Sequence, residues 1–287
     1  VSPSRRPPEP PARLAEAGAR RPGRARVPCV LAIGGLDPGG GAGILADGRA
    51  VAHAGAFACA AVAVLTVQST AGLRAVTPVA TRELVAECRE VLVEQRVRAI
   101  KTGALGSEDN VRAVGDLLAA HRAIPSVVDT VMLPTRGKAR LLAERAVSVL
   151  RERLISRATV VTANAPEAEV LAETRIRDLD DARAAALALL DIGPRAVLVK
   201  GGHLSGAEAV DVLALRVGER ARVHELRAPR LRVGPVHGGG CVLASLVAGR
   251  LARGSSVLGA VRWAKATHHA ALRDAADVGG EMRVLLA

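Results

Sequence analysis

Aromatic side chains are almost absent from this chain of 287 residues: they make up 1%, as Phe57 and Trp263 with no tyrosine. Any core must therefore be built from Ala, Val and Leu, which a hydrophobic content of 49% permits. The same scarcity leaves no stacking platforms for nucleic-acid bases. Cysteine is scarce too. Cys29, Cys59, Cys88 and Cys241 lie far apart with no C-x-x-C pair, which argues against a zinc site and a disulfide framework. The first three sit in apolar surroundings and read as small core residues. No apolar run reaches the ~18 residues of a membrane span. The Pro- and Arg-rich start has no apolar stretch of the secretory kind, so the chain reads as cytosolic with no membrane partner.

Acidic residues are outnumbered, 28 against 40 Lys and Arg, for a net charge of +12. The first 27 residues alone carry seven arginines and two glutamates. The remaining excess is scattered among acidic neighbours, so nucleic acid is not expected as a partner. Residues 1–27 lack a periodic apolar face and read as a disordered basic extension. Residues 28–287 read as one domain.

From Pro28 onward, short β-branched runs at 29–34, 59–66, 97–101, 125–129, 158–162 and 195–200 alternate with helical patterns. The helices are expected at 43–54, 82–94, 108–121, 140–154, 166–173 and 179–191. A hairpin follows at 210–216 and 221–227, then helices at 240–252 and 257–274. This alternation predicts an α/β fold, a mostly parallel sheet with helices on both faces.

Glycine, by contrast, is concentrated. Six glycines occupy the ten positions from Gly34 to Gly43, after the apolar run Cys29-Val30-Leu31-Ala32-Ile33 and before a helical segment. Such a turn at a strand's carboxyl end is a ligand cradle in parallel sheets, here bracketed by Asp37 and Asp47. A second glycine turn, Gly238-Gly239-Gly240-Cys241, precedes the apolar helix Val242–Val247. Backbone N–H groups at a helix start form an anion hole, and the helix end is expected to lower the Cys241 thiol pKa. A third group is Asn164-Ala165-Pro166-Glu167, where Asn164 suits an N-cap and Pro166 the first turn. Glu167 there, and Asp129 at the end of another strand, are candidates to hold Mg²⁺. Lys200 ends a further strand and offers a cation for phosphate. Several strands thus end in polar groups on one rim of the sheet.

Two nucleotide signatures fail. Gly137-Lys138 is followed by Ala139, so there is no Walker loop. Gly41-Ala42-Gly43-Ile44-Leu45-Ala46 fits a loose dinucleotide pattern, but the second strand ends in Thr66-Val67-Gln68, where a ribose-binding carboxylate should stand.

From about residue 29 to 275 the chain resembles the hydroxymethylpyrimidine/phosphomethylpyrimidine kinases of thiamine biosynthesis, in the ribokinase superfamily. The motifs are Gly35-Leu36-Asp37-Pro38 to Asp47, Leu65-Thr66-Val67-Gln68-Ser69-Thr70, Lys101-Thr102-Gly103-Ala104-Leu105-Gly106 and Asp129-Thr130-Val131-Met132. Thr162–Glu169, Lys200-Gly201-Gly202-His203, Ala228-Pro229-Arg230 and the turn ending in Cys241 complete them. The resemblance implies a three-layer α/β/α kinase that uses ATP and Mg²⁺, acts on an aminopyrimidine and its monophosphate, and forms a homodimer. It implies that Gly35, Asp47, Gln68 and Val131 contact the pyrimidine, with Ala104 in the pocket wall where the family commonly has Met. Asn164, Lys200 and Pro229 would lie by the nucleotide, Asp129 and Glu167 by the metal. Gly238, Gly239, Gly240 and Cys241 would form the anion hole, with Cys241 as the base for the first phosphorylation. Two departures stand out: Gly239 replaces the usual Thr, and Thr135-Arg136-Gly137-Lys138 replaces the usual Lys-Ser-Gly-Asp. The loop 134–140 is the candidate lid. A pyridoxal kinase-like enzyme and a pyrimidine-binding protein with a decayed kinase site are the alternatives.

Overall fold

The apolar runs become strands buried on both faces, as parallel strands covered by helices must be. β1 (Cys29–Leu36) is buried along all but its last residue, and β5 (Ser126–Asp129) along its whole length. β1 pairs in parallel with β2 (Phe57–Ser69) on one side and β4 (Val97–Thr102) on the other. β5, β6 (Val160–Asn164) and β7 (Ala196–Lys200) continue the parallel set. The computed structural model describes residues 26–132, 141–142 and 146–287. The sheet order is β3-β2-β1-β4-β5-β6-β7-β8-β9. β3 (Gly72–Pro78) runs antiparallel at one edge, and the hairpin β8 (Glu208–Val217) and β9 (Arg220–Pro229) closes the other.

Alternate side chains of each strand feed two separate cores. Leu31, Ile33 and Val128 pack beneath α2 (Thr81–Glu94), α3 (Glu108–Ala120), the helical stretch α4 (147–157), α5 (Ala165–Ala172) and α6 (Leu179–Asp191). Val30, Val127 and Leu198 face α1 (Gly43–His53), α7 (Gly239–Ala252) and α8 (Val257–Arg273). The result is the three-layer α/β/α arrangement expected from the sequence. Small side chains let the layers close without aromatic filler. A Cβ on Gly249 of α7 would come within 2.5 Å of the Ala54 Cβ at the end of α1. Cys29, Cys59 and Cys88 are buried, as expected.

Four elements differ from expectation. β3 was not expected: Leu73 is buried but most of the strand is exposed, so an edge strand with little apolar content gave no signal. β10 (Val236–His237) and β11 (Arg283–Val284) are two-residue strands paired in parallel, too short for a periodic pattern. Of the expected helix at 140–154, residues 140 and 143–145 lie outside those described. Its described end mixes α, π (Leu150–Leu154) and 3₁₀ (Ile155–Arg157) turns and runs on to residue 157.

The two glycine turns press on each other. A Cβ on Gly238 (φ 77°) would lie 2.0 Å from the Gly41 carbonyl oxygen, and one on Gly43 (φ 58°) 2.1 Å from that of Gly35. Much of the glycine in both turns therefore serves backbone-on-backbone packing, before any ligand is considered. Left-handed backbone at a non-glycine residue costs roughly 1–3 kcal/mol even without a clash. Gly238→Ala should lower the unfolding free energy by at least that much in urea titration, and a loss near zero would contradict this packing.

Candidate active site

The strand order reverses between β1 and β4, and the polar ends of the parallel strands gather at the carboxyl edge beside that crevice. Just past β1, the Asp37 carboxylate accepts the N–H groups of Gly39 (2.9 Å) and Ala42 (2.8 Å) and so shapes the first glycine turn. Its Oδ2 also meets His237 Nε2 at 2.8 Å. Burial acts to raise the Asp37 pKa, but His237 and the two backbone donors outweigh it and hold the carboxyl below its ordinary range. Asp37 thus organises the turn rather than facing outward as a bracket.

Behind the turn lies a row of alternating buried charges. Lys101, at the end of β4, places Nζ 2.8 Å from both Asp47 carboxylate oxygens, and neither residue reaches solvent. Ser245 of α7 donates to Asp47 Oδ1 at 2.8 Å. Burial acts against the Lys101 charge, but Asp47, Cys241 and Asp129 together raise its pKa above the usual lysine range. Asp129, ending β5, accepts from Thr162 Oγ1 at 2.8 Å and from Lys200 Nζ at 3.3 Å. Burial works against its charge, but Lys200, Lys101 and these bonds hold its carboxyl below the ordinary value. Lys200, ending β7, lies 3.0 Å from where a Gly240 Cβ would stand. The second glycine turn therefore sits directly against the Asp129–Lys200 pair.

Asn164 and Glu167 form a capping box at the start of α5. The Asn164 side chain accepts from Glu167 N (2.8 Å), and Glu167 Oε2 accepts from Asn164 N (2.9 Å). Glu167 Oε2 also accepts from Thr130 Oγ1 at 3.2 Å. Burial raises its pKa to about 7, with Lys200 opposing and Asp129 reinforcing the rise. Among the described residues no group of three or more His, Cys, Asp and Glu forms a protein-only metal cage. Mg²⁺ asks for less, one or two carboxylates with the rest from water and phosphate. Asp129 Oδ2 is buried without a hydrogen-bond partner, so the residues present fit that demand.

Cys241 corrects an expectation. Its thiol pKa is raised to about 12, not lowered. Burial is the largest cause; Lys101 pulls the other way, while Asp129 and Asp47 add to the rise, and the Gly43 backbone contact does not offset it. The helix end is there, but desolvation beside two carboxylates wins.

On the apolar side, Ala104 and Val131 belong to a small cluster with Leu73 and Leu141, and Ala104 lies 3.8 Å from the Cβ position of Gly35. Gln68 follows a register shift in β2, a bulge that re-aims its side chain, and its amide meets His237 Nε2 at 3.1 Å. Pro229 lies at the end of β9, opposite Glu208, with its carbonyl 2.8 Å from His269 Nε2. It is placed at the end of the hairpin. The loop 134–140, including Arg136 and Lys138, lies outside the described residues.

The family description phosphomethylpyrimidine kinase matches residues 37–285. The chain belongs to the phosphomethylpyrimidine kinase family. A hydroxymethylpyrimidine/phosphomethylpyrimidine kinase of Streptomyces coelicolor is 42% identical over 253 residues, covering 88% of this chain and 91% of that one. One of Mycobacterium leprae is 38% identical, covering 87% and 90%. Among solved structures, an ADP complex of Bacillus subtilis pyridoxal kinase matches with a TM-score of 0.81 at 28% identity, covering 90% of this chain and 97% of that one. A phosphomethylpyrimidine kinase from Clostridium difficile matches with a TM-score of 0.72 at 30% identity, covering 85% and 99%.

In this member of the family, sequence reasoning missed several residues. Lys101 stood inside a quoted motif without a role, although a lysine ending an apolar strand run was the available signal. Ser245, within an apolar helix, gave none. His268 of α8 was also missed. Its Nε2 lies 3.5 Å from the Cβ position of Gly239, and burial lowers its pKa to about 4, with Lys265, Lys200 and His269 adding to the fall and the Gly239 backbone opposing it.

Proposed function

We propose that this phosphomethylpyrimidine kinase family member transfers the γ-phosphoryl group of ATP to the hydroxymethyl group of 4-amino-5-hydroxymethyl-2-methylpyrimidine, and then to the resulting monophosphate. The observation that carries this reading is 42% identity along nearly the whole chain to a protein named for both steps. Solved relatives hold ADP, or an ATP analogue with pyridoxal, which supports ATP as donor. Mg²⁺, a homodimer and a cytoplasmic location belong to the same proposal.

Gly35, Ala104 and Val131 offer the pyrimidine an apolar wall, and Gln68 an amide at its edge. Asp47, which the resemblance places against the pyrimidine, has no exposed surface and bonds Lys101 and Ser245, so its role here is to support that wall from beneath. The N–H groups opening α7 and the Lys200 ammonium face the phosphates, where Asn164 lines the rim. Asp129 and Glu167 would hold Mg²⁺, which draws charge from the phosphate oxygens when bound. In each step a substrate oxygen forms a bond to the γ-phosphorus as the bond to the β–γ bridging oxygen breaks, and ADP leaves. The transition state is loose, so positioning and charge stabilisation do most of the work. The first step must also shed the hydroxyl proton. Cys241 is a thiol in the free protein, so acting as base requires it to lose its proton first. The second step needs no base, because a phosphate monoester is largely ionised at pH 7.

The test is phosphorylation of the pyrimidine, its monophosphate and pyridoxal in parallel, with ATP and Mg²⁺. Turnover of both pyrimidines is expected, with the first step accelerating as pH rises toward 9. Cys241→Ala should slow the first step about tenfold more than the second, a difference of ~1.4 kcal/mol. Pyridoxal turnover above pyrimidine turnover would favour the second reading, which the pyridoxal kinase fold neighbours and the small Ala104 support. Pyrimidine binding without turnover of any substrate would leave the decayed-site reading.

A further inference from the structure

One feature of the rim has a single consistent proton arrangement. His237 is 2% exposed, and its Nε2 meets two groups, Asp37 Oδ2 at 2.8 Å and the Gln68 amide at 3.1 Å. Its ring lies against the first glycine turn, where a Gly41 Cβ would come within 2.4 Å of Cδ2. Its Nδ1 is buried with no hydrogen-bond partner. The ring is held from behind by the pairing of β10 with β11, which sets His237 opposite Val284.

Asp37 already accepts two backbone N–H groups, and its carboxylate has no proton to give. The 2.8 Å contact therefore requires the proton on Nε2. A protonated Nε2 has no lone pair for the Gln68 NH₂ group. The two ends of an amide are interchangeable by a half-turn, and the hydrogen-bond network decides between them. The network here turns the Gln68 carbonyl toward the imidazole, where it shares the Nε2 proton, and turns the NH₂ outward.

We propose that His237, held by Asp37, is the positioning residue for Gln68: it presents the amide NH₂ to the ligand, so the site selects a heterocycle with an unprotonated ring nitrogen at that edge. This rests on the pyrimidine kinase reading for the identity of the heterocycle. An aminopyrimidine offers such a nitrogen. A ring protonated at that position, or carrying a hydroxyl donor there, meets two donors and is rejected.

The experiment has two parts on the full chain. Long-range ¹H–¹⁵N spectra of protein labelled at histidine report which ring nitrogen carries hydrogen, with His237 assigned by the signals lost in His237→Gln or His237→Asn. The expected pattern has hydrogen on Nε2; a bare Nε2 with hydrogen only on Nδ1 overturns the proposal. Calorimetric binding of hydroxymethylpyrimidine then follows a double-mutant cycle. Gln68→Ala should cost at least tenfold in affinity in the wild-type background and less than threefold beside His237→Gln, with ATP affinity unchanged within twofold. Equal losses in the two backgrounds overturn it, since a merely structural histidine would leave the Gln68 contribution intact. Gln68→Glu, which keeps the shape but has no NH₂, should match Gln68→Ala; wild-type affinity in that variant also overturns it. A wild-type protein that binds no pyrimidine refutes the functional reading instead, and the ring-hydrogen pattern still decides how Gln68 is turned.

Discussion

Lys101→Met should lower the unfolding free energy by about 3–5 kcal/mol, the usual cost of leaving a buried charge without its partner. Asp47 and Lys101 have side-chain exposures of 0% and 1%, so water cannot take the partner's place. The substitution preserves length and apolar stem and removes only the ammonium. Asp47 would keep the Ser245 hydroxyl but lose both 2.8 Å contacts to Lys101. Asp47→Asn should cost less, because Lys101 still faces Asp129 and Cys241. The double variant Asp47→Asn with Lys101→Met should be more stable than Lys101→Met alone, since no unpaired charge remains. Urea titration of the three variants at pH 7 checks this order. A Lys101→Met loss below about 1 kcal/mol would mean the pair is not buried as described. The same substitution should also slow turnover, because this pair underlies both the proposed pyrimidine wall and the Cys241 turn.

The rim of strand ends was legible because each of its polar residues stands at the end of an apolar run. Asp129, Asn164 and Lys200 follow Val127-Val128, Val160–Ala163 and Val197–Val199, and the sheet brings them to one edge. What one residue does to another across the sheet was not legible. Asp47 and Lys101 are 54 positions apart, and His237 and Asp37 are 200 apart, so neither pair leaves a local pattern. The Cys241 error has the same origin. A helix start can be read locally, but two carboxylates arriving from α1 and β5 cannot. Ligand approach alone does not account for the glycine turns: Gly41 and Gly238 let the two turns touch each other, and Gly43 lets the first turn close on Gly35. β3 escaped because an exposed edge strand needs no apolar alternation to pair.

The contributions of Glu167 and His268 to the stability of the metal-free protein should nearly cancel between about pH 4.5 and 6.5. Glu167 is raised from 4.5 to about 7, with burial the largest cause. In that window the folded chain holds a proton the unfolded chain has released, so stability falls as pH rises. His268 is lowered from 6.5 to about 4, again chiefly by burial. Between those values the unfolded chain holds the extra proton, so stability rises with pH. Each shift amounts to about 3 kcal/mol over its full range, and the two slopes oppose each other. Glu167→Gln, which can still accept the Asn164 N–H, should unmask a rise in stability of about 3 kcal/mol from pH 4.5 to 6.5. His268→Gln should unmask a fall of similar size. Urea titrations at pH 4.5, 5.5 and 6.5 with divalent cations chelated would separate the three curves. The carboxyls of Asp37 and Asp129 lose their contribution only at lower pH, because their values are depressed. A Glu167→Gln curve parallel to that of the wild type would mean that Lys200 keeps Glu167 ionised throughout. Glu167 and His268 both lie within the field of Lys200, so one lysine at the carboxyl rim of the sheet is flanked by an acid that favours its neutral form and a neutral imidazole.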